Sequence, residues 1–349
     1  ALNPPESFGN IHVYGFVGTG KTVVVKFLLK EASNLKGVKT IYMSFKENRI
    51  DTEYKFWKKF LENLGKRVPD RGLSPSDLLT RVKDVLSSLS EKVVVLALDE
   101  IDFMQPSELN NILYVLCRSD LGREISLITI SVTTDFISKL EPSTKSSFNP
   151  IFVKFPPYVP DQIREILKYL ASLSLDMSKV DEDVFSFIAS EAYRERGGDC
   201  RYAVDLLRTV ARIAENKGVR VTKDLIPEAK ERLEEEELTK TIAELSLHHK
   251  LILVALVAAW KGTKSGMKNF EYPIKMGYLY NIYKEAAKKI YTTPISYRTM
   301  KRYVNELKYL GLVDTMQTRS RGLSTLVSLS EEKRETIVKS IEGWWTQFL

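Results

Sequence analysis

The run Gly15-Phe16-Val17-Gly18-Thr19-Gly20-Lys21-Thr22 fits the pattern G-x-x-x-x-G-K-[ST] in full, and nothing else in the chain limits the fold as strongly. Such a loop works where a strand hands over to a helix. Backbone N–H groups must converge on an anion there, and side chains at the glycines would obstruct them. The flanks fit: Ile11 to Tyr14 reads as a strand and Thr22 to Leu29 as a helix. Gly18, Thr19 and Gly20 are therefore candidates to cradle the phosphates of ATP or ADP. Lys21 is placed for the β- and γ-phosphates, and the Thr22 hydroxyl for Mg²⁺.

Short β-branched runs recur after the loop, at Lys39 to Phe45, Val93 to Leu98, Ile125 to Ser131 and Ile151 to Phe155. Helical patterns such as Glu53 to Leu64 and Pro75 to Ser88 lie between them. Strands alternating with helices imply an α/β domain with a parallel sheet covered on both faces. The apolar run Val93 to Leu98 ends in Asp99-Glu100. Asp99 is suited to hold Mg²⁺ and Glu100 to orient or deprotonate an attacking water. An acidic pair after a strand often only caps the next helix, but about 80 residues beyond a P-loop it points to the nucleotide.

Pro156-Pro157 ends the alternation, and only helical patterns follow as far as Glu237. The expected organisation is a nucleotide-binding base over 1–155, an α-helical lid over 156–240 and a third domain over 241–349. In the lid, Gly197-Gly198-Asp199-Cys200-Arg201 opens a helix that Asp199 can cap. Arg201 sits in the first turn, where a cation is unfavourable for the helix dipole, so an anionic partner such as the γ-phosphate is expected for it.

The net charge of +7 is unevenly spread: residues 245–349 carry 17 Lys+Arg and 8 Asp+Glu, a balance of +9, which leaves −2 for the rest. A polyanion is the expected partner of this third, against the plainer reading of a solvated basic surface. Three helical patterns there (His248 to Gly262, Tyr278 to Tyr291, Ser296 to Leu310) precede a hairpin with Gln317 to Gly322 at its tip. That order is the winged helix-turn-helix pattern. Tyr297, Arg298, Lys301, Arg302 and Asn305 then face double-stranded DNA from the recognition helix, with Arg319 and Arg321 on the wing. Such modules also bind proteins, but the balance of +9 in this third favours DNA. The two cysteines, Cys117 and Cys200, show no metal-ligand spacing, which fits a reducing, intracellular setting. Neither a signal peptide nor an apolar run long enough to span a bilayer is seen, so no membrane partner is expected.

A P-loop ATPase, a lid carrying an arginine and a basic winged helix, in that order, resemble the archaeal origin-recognition initiators. These are AAA+ proteins related to the eukaryotic origin recognition complex. Shared segments run through the whole chain: Leu98 to Asp102, Asn111 to Tyr114, Lys145 to Ser147, Phe155 to Tyr158, Gly198 to Arg201, Asp205 to Arg208 and Asn305 to Leu307. The resemblance implies binding of origin DNA, recruitment or loading of the replicative helicase, and a cytoplasmic, nucleoid-associated place in an archaeal cell. It also implies a helical insertion near Met104 to Arg123 that touches DNA, which makes Arg118, Ser119 and Arg123 candidates.

Three departures from that family matter. Val132 stands where an asparagine usually senses the γ-phosphate, with Thr133 as a possible substitute. Ser143 stands where an arginine usually acts on a neighbour's nucleotide. The P-loop starts at residue 15, so the segment that packs on adenine is expected to be short or missing. Tight nucleotide binding with slow hydrolysis is therefore expected, in a divergent paralogue that works beside another initiator subunit. A signal-transduction-type ATPase that regulates transcription through its winged helix is the alternative reading. A ring-forming remodelling ATPase would need the missing arginine.

Overall fold

A computed structural model describes residues 9–69, 72–118, 121–264, 272–318 and 324–345. The chain divides into two compact units, 1–224 and 225–349.

The first unit begins with β1 (Ile11–Tyr14), α1 (Lys21–Ala32), β2 (Val38–Ser44), α2 (Glu53–Asn63), α3 (Pro75–Ser87) and β3 (Val93–Asp99). It continues through α4 (Pro106–Arg118), β4 (Glu124–Ser131), the short α5 (Asp135–Ser138) and α6 (Pro142–Phe148), and β5 (Ile151–Lys154). The five strands form one parallel sheet in the order β2-β3-β4-β1-β5. Local sequence explains the helix ends. The Thr52 hydroxyl accepts from Lys55 N at the start of α2, and Ser74 and Asp77 form a reciprocal capping box around Pro75 at the start of α3. All seven residues of β3 are buried, as a central parallel strand requires.

The inner strand β1 holds a buried histidine. His12 is fully buried, with Nδ1 2.9 Å from Thr129 Oγ1 and Nε2 3.1 Å from Ser131 Oγ, and its ring packs edge-on against Phe136 and Phe152. Burial pushes its pKa down to about 4. In the unfolded chain the imidazole takes up a proton below its ordinary value of 6.5, while the folded one stays neutral until about pH 4. Stability therefore falls as pH drops through that window. Between pH 7 and pH 5 the expected loss from this group is about 2 kcal/mol. Urea unfolding at both pH values checks it, and a His12→Asn variant with the same acid loss as wild type would assign the effect elsewhere.

The lid consists of α7 (Pro160–Ser174), α8 (Asp183–Arg196) and α9 (Cys200–Lys217), packed around Leu167, Ile188, Leu206 and Val210. The second unit contains α10 (Ile226–Glu244), α11 (Leu247–Lys264), β6 (Ile274–Lys275), α12 (Met276–Lys289), α13 (Tyr297–Tyr309), β7 (Val313–Thr318), β8 (Ser324–Leu329) and α14 (Arg334–Trp345). Helix α10, which the sequence placed in the lid, packs along α14 here, and Glu234 to Glu237 lie exposed within it. The hairpin β7–β8 gains a third strand from β6, where Ile274 pairs with Val327. A two-residue strand leaves no periodic trace in the sequence. Helices α11, α12 and α13 share one core of Leu251, Leu256, Leu279, Tyr283, Met300, Val304 and Leu307.

Candidate nucleotide site and nucleic-acid interface

The loop between β1 and α1 takes its shape from backbone conformations that side chains resist. Gly15, Gly18 and Gly20 have φ values of 152°, 75° and 81°, and Gly20 is the N-terminal cap of α1. Close neighbours reinforce the requirement: a Cβ would lie 2.2 Å from Phe155 O at Gly15, 1.8 Å from Asp199 Oδ1 at Gly18 and 2.4 Å from Tyr158 Oη at Gly20. Lys21 Nζ donates to Gly15 O at 2.6 Å and Phe16 O at 2.7 Å, and Thr19 Oγ1 donates to Phe16 O at 2.8 Å. Burial lowers the Lys21 pKa; Asp99 and Asp102 oppose that shift and Arg201 adds to it. The ammonium thus sits in a partly dehydrated place where an anion is the natural partner.

The acidic pair stands directly opposite. Asp99 is buried, and its Oδ2 accepts from Thr22 Oγ1 at 2.7 Å and from Tyr42 Oη at 2.8 Å. Its Oδ1 accepts from Glu100 N at 2.8 Å. Thr22 and Asp99, already joined by this hydrogen bond, are the residues that would hold a Mg²⁺ brought in with the nucleotide. Among the described residues no cluster of three or more His, Cys, Asp or Glu side chains could hold a metal. The ion would need phosphate oxygens and water to complete its shell, as Mg²⁺ does on a nucleotide. Glu100 is strained, with φ 55°, and its carboxylate accepts from Ser44 Oγ at 2.7 Å. That conformation points it away from the strand direction, toward the end of β2.

Lid residues reach the loop from the other side. Asp199 caps α9 by accepting from Arg201 N at 2.9 Å and Tyr202 N at 3.3 Å, and the same carboxylate packs on Gly18. Cys200 N donates to Gly18 O at 3.3 Å. Arg201 follows on the exposed first turn of α9, near enough for its charge to act on Lys21.

Tyr42, Ser44, Asp102 and Tyr158 join the site without having been expected there. Tyr42 and Ser44 belong because β2 runs parallel to β3 in a register that pairs Ser44 with Asp99.

Other expected residues have different surroundings. Val132 N donates to Asp102 Oδ2 at 2.9 Å, while the Thr133 hydroxyl accepts from Asp135 N at 3.3 Å and so is engaged at the start of α5. Lys145, beside Ser143, donates from Nζ to Ser138 O at 2.8 Å. Arg123 donates to the carbonyls of Glu91, Gly122, Ser87 and Leu89. Its guanidinium ties the end of α3 to the start of β4, where it is half-buried. Arg118 is exposed at the end of α4, with its guanidinium over the Tyr114 ring at 5.5 Å. Ser119, Arg319 and Arg321 lie outside the described residues.

In the second unit, Ser296 caps α13 by accepting from Thr299 N at 3.2 Å. Met300, Val304 and Leu307 are buried, and Tyr297, Arg298, Lys301, Arg302 and Asn305 are exposed together on the other side. Lys301 Nζ lies 4.9 Å from the Tyr297 ring centroid, and Arg302 Nε is 3.4 Å from Glu306 Oε1. These are long polar side chains on a rigid helix, the form in which a major groove is read.

A P-loop domain with this strand order, a helical lid and a winged helix together define an AAA+ chain of the replication-initiator class. Family models match it in three places: an AAA domain over residues 6–134, a Cdc6 AAA+ ATPase-type lid domain over 164–231, and the CDC6 C-terminal winged helix domain over 240–338. The ORC1-type DNA replication protein 1 of Sulfurisphaera tokodaii is 33% identical over 343 residues, covering 96% of this chain and 83% of that relative. The ORC1-type DNA replication protein of Thermococcus kodakarensis is 34% identical over 322 residues, covering 88% and 75%. The chain belongs to the ORC1-type DNA replication protein family. Among solved structures, the Aeropyrum pernix ORC1 protein in complex with DNA matches with a TM-score of 0.77 and 31% identity, over 99% of this chain and 88% of that one. The ADP form of Aeropyrum pernix ORC2 shares the fold, with a TM-score of 0.55 and 23% identity over 97% and 89%. No described helix is long and apolar enough to cross a membrane.

Proposed function

We propose that the chain is a nucleotide-responsive replication initiator. ATP or ADP with Mg²⁺ sits on Gly18 to Thr22, and the second unit grips origin double-stranded DNA through Tyr297, Arg298, Lys301, Arg302 and Asn305. A paralogous initiator on adjacent DNA and the replicative helicase are the protein partners. The observation that carries this reading is the pairing of Thr22 Oγ1 with Asp99 Oδ2 at 2.7 Å beside a buried Lys21, in a family whose Aeropyrum pernix member was solved on DNA.

The chain's own residues bind more readily than they cleave. When bound, Mg²⁺ neutralises charge on the β- and γ-phosphates. Lys21 and the loop amides hold those phosphates, and Asp99 fixes Thr22. Glu100 is the candidate to orient water, yet it is held by Ser44. At Val132 no side-chain donor faces the γ-phosphate, and Ser143 cannot supply the bidentate geometry of an arginine. Turnover below roughly one per minute is expected for the purified protein, with or without DNA. A rate of several per second would overturn this part of the proposal.

Mapping of cross-linked sites across the genome tests the function as a whole. Enrichment at replication start regions is expected, and enrichment at promoters alone would favour transcriptional regulation. Footprints of this chain and a paralogue, alone and together, test the partnership: purely additive protection counts against it.

A further inference from the structure

Helix α12 ends in a cap that calls for glycine and carries tyrosine. Thr292 N donates to Ala287 O and Tyr291 N to Lys288 O, both at 3.0 Å. These are the two bonds of a Schellman motif, and Tyr291 fills its left-handed position with φ 55°. Glycine is usual there because a Cβ is crowded at positive φ, and a bulky side chain is an outlier. The Tyr291 side chain recovers nothing by packing, since the residue is 100% exposed. Of the other described non-glycine residues at positive φ, Arg49 is exposed in the turn after β2, Glu100 belongs to the nucleotide site and Asn149 is a residue type that tolerates this region.

The place of this outlier is informative. Tyr291 opens the turn into α13, the candidate recognition helix, and the turn is held stiffly. Tyr280 Oη donates to Ile295 O and Ile295 N donates to Tyr283 Oη, each at 3.0 Å, while the Tyr297 ring meets Tyr280 edge-on at 5.3 Å. Lys288 and Lys289 precede Tyr291 and two threonine hydroxyls follow it. Lys288 pairs with Glu285 at 2.9 Å, and both lysines suit the end of a helix dipole, so they need no ligand of their own. Neither reason applies to the tyrosine. A phenol carried on this held turn offers a ring face to a deoxyribose and a hydroxyl to a phosphate oxygen.

We infer that Tyr291 is a backbone contact for the duplex DNA bound by the second unit, and that the strained cap is kept because it aims the ring outward. This rests on the DNA-binding reading above. The test is the full chain carrying Tyr291→Gly, measured for unfolding and for binding to a fluorescently labelled mixed-sequence duplex. Two opposite changes are expected. The denaturation midpoint rises, because glycine relieves the left-handed strain, and the duplex affinity falls roughly tenfold. The slope of log affinity against log salt stays unchanged, since no charge is lost. Lys301→Ala, run alongside, should lower that slope by about one. Equal affinity for wild type and Tyr291→Gly, as a protein-docking role for the ring would give, overturns the inference, and so does a variant less stable than wild type. If wild type itself fails to bind duplex DNA while Lys301→Ala changes nothing, the winged-helix reading fails instead.

Discussion

Lys21→Ala is expected to weaken ATP and ADP binding by roughly 100-fold or more, about 3 kcal/mol, while leaving the fold intact. Lys21 is 9% exposed, with its ammonium bonded to the carbonyls of Gly15 and Phe16 and its charge disfavoured by burial. Phosphate would take over those donors and supply the missing counter-charge, so the lysine contributes most when nucleotide is bound. Without nucleotide, alanine removes a poorly hydrated charge and two hydrogen bonds together, effects that oppose each other. Calorimetric titration with ADP measures the affinity. The nucleotide-induced rise in thermal stability should shrink in step, by about 2.7 kcal/mol for a 100-fold loss at saturating ligand. Lys21→Arg should not rescue it, because a planar fork does not fit where a compact ammonium points. Wild-type affinity in Lys21→Ala would remove the loop from the nucleotide site.

Gly15→Ala is expected to cost on the order of 4 kcal/mol of stability. Two effects add. At φ 152° the backbone is one that side chains rarely adopt, and the new Cβ would press on a main-chain atom, Phe155 O, at 2.2 Å. A flexible side chain could swing aside, but this carbonyl follows directly on β5. Phe155 N is bonded to Tyr14 O at 2.8 Å, so separating the two segments breaks the hydrogen bond that closes the sheet beside the loop. Gly65 provides the contrast: its φ is 78° but a Cβ there meets nothing within 4 Å. Gly65→Ala should therefore cost only about 1 kcal/mol. Urea unfolding followed by fluorescence of the fully buried Trp57 compares the two. Equal losses would mean that conformation alone, and not the contact with Phe155, sets the requirement.

Much of this architecture was legible because it is written in local pattern. The P-loop, the strand Val93 to Leu98 with its acidic end and the capped helix at Ser296 each announce themselves within about ten residues. The partners of the acidic pair do not. Tyr42 and Ser44 sit more than 50 residues from Asp99 and reach it only through the parallel register of β2 on β3. Arg123 shows the converse limit. The family resemblance makes Arg123 a candidate for DNA, and only the fold reveals that its guanidinium also bonds four carbonyls. Thr133, the possible substitute for the missing asparagine, accepts from Asp135 N at the start of α5, a contact that only the fold shows. The third strand of the wing sheet was invisible because two residues are too few to show alternation.

The contact between Gly18 and Asp199 changes what the loop's glycines can be taken to mean in related chains. A side chain at Gly18 would collide with the lid carboxylate at 1.8 Å even if no phosphate ever bound. A descendant that abandoned nucleotides would still be held to glycine at this position by the seating of its lid. Lys21 and Thr22 make hydrogen bonds of their own, but replacing them causes no clash, so drift at those two residues, and not at Gly18, is where the loss of nucleotide binding would first be visible.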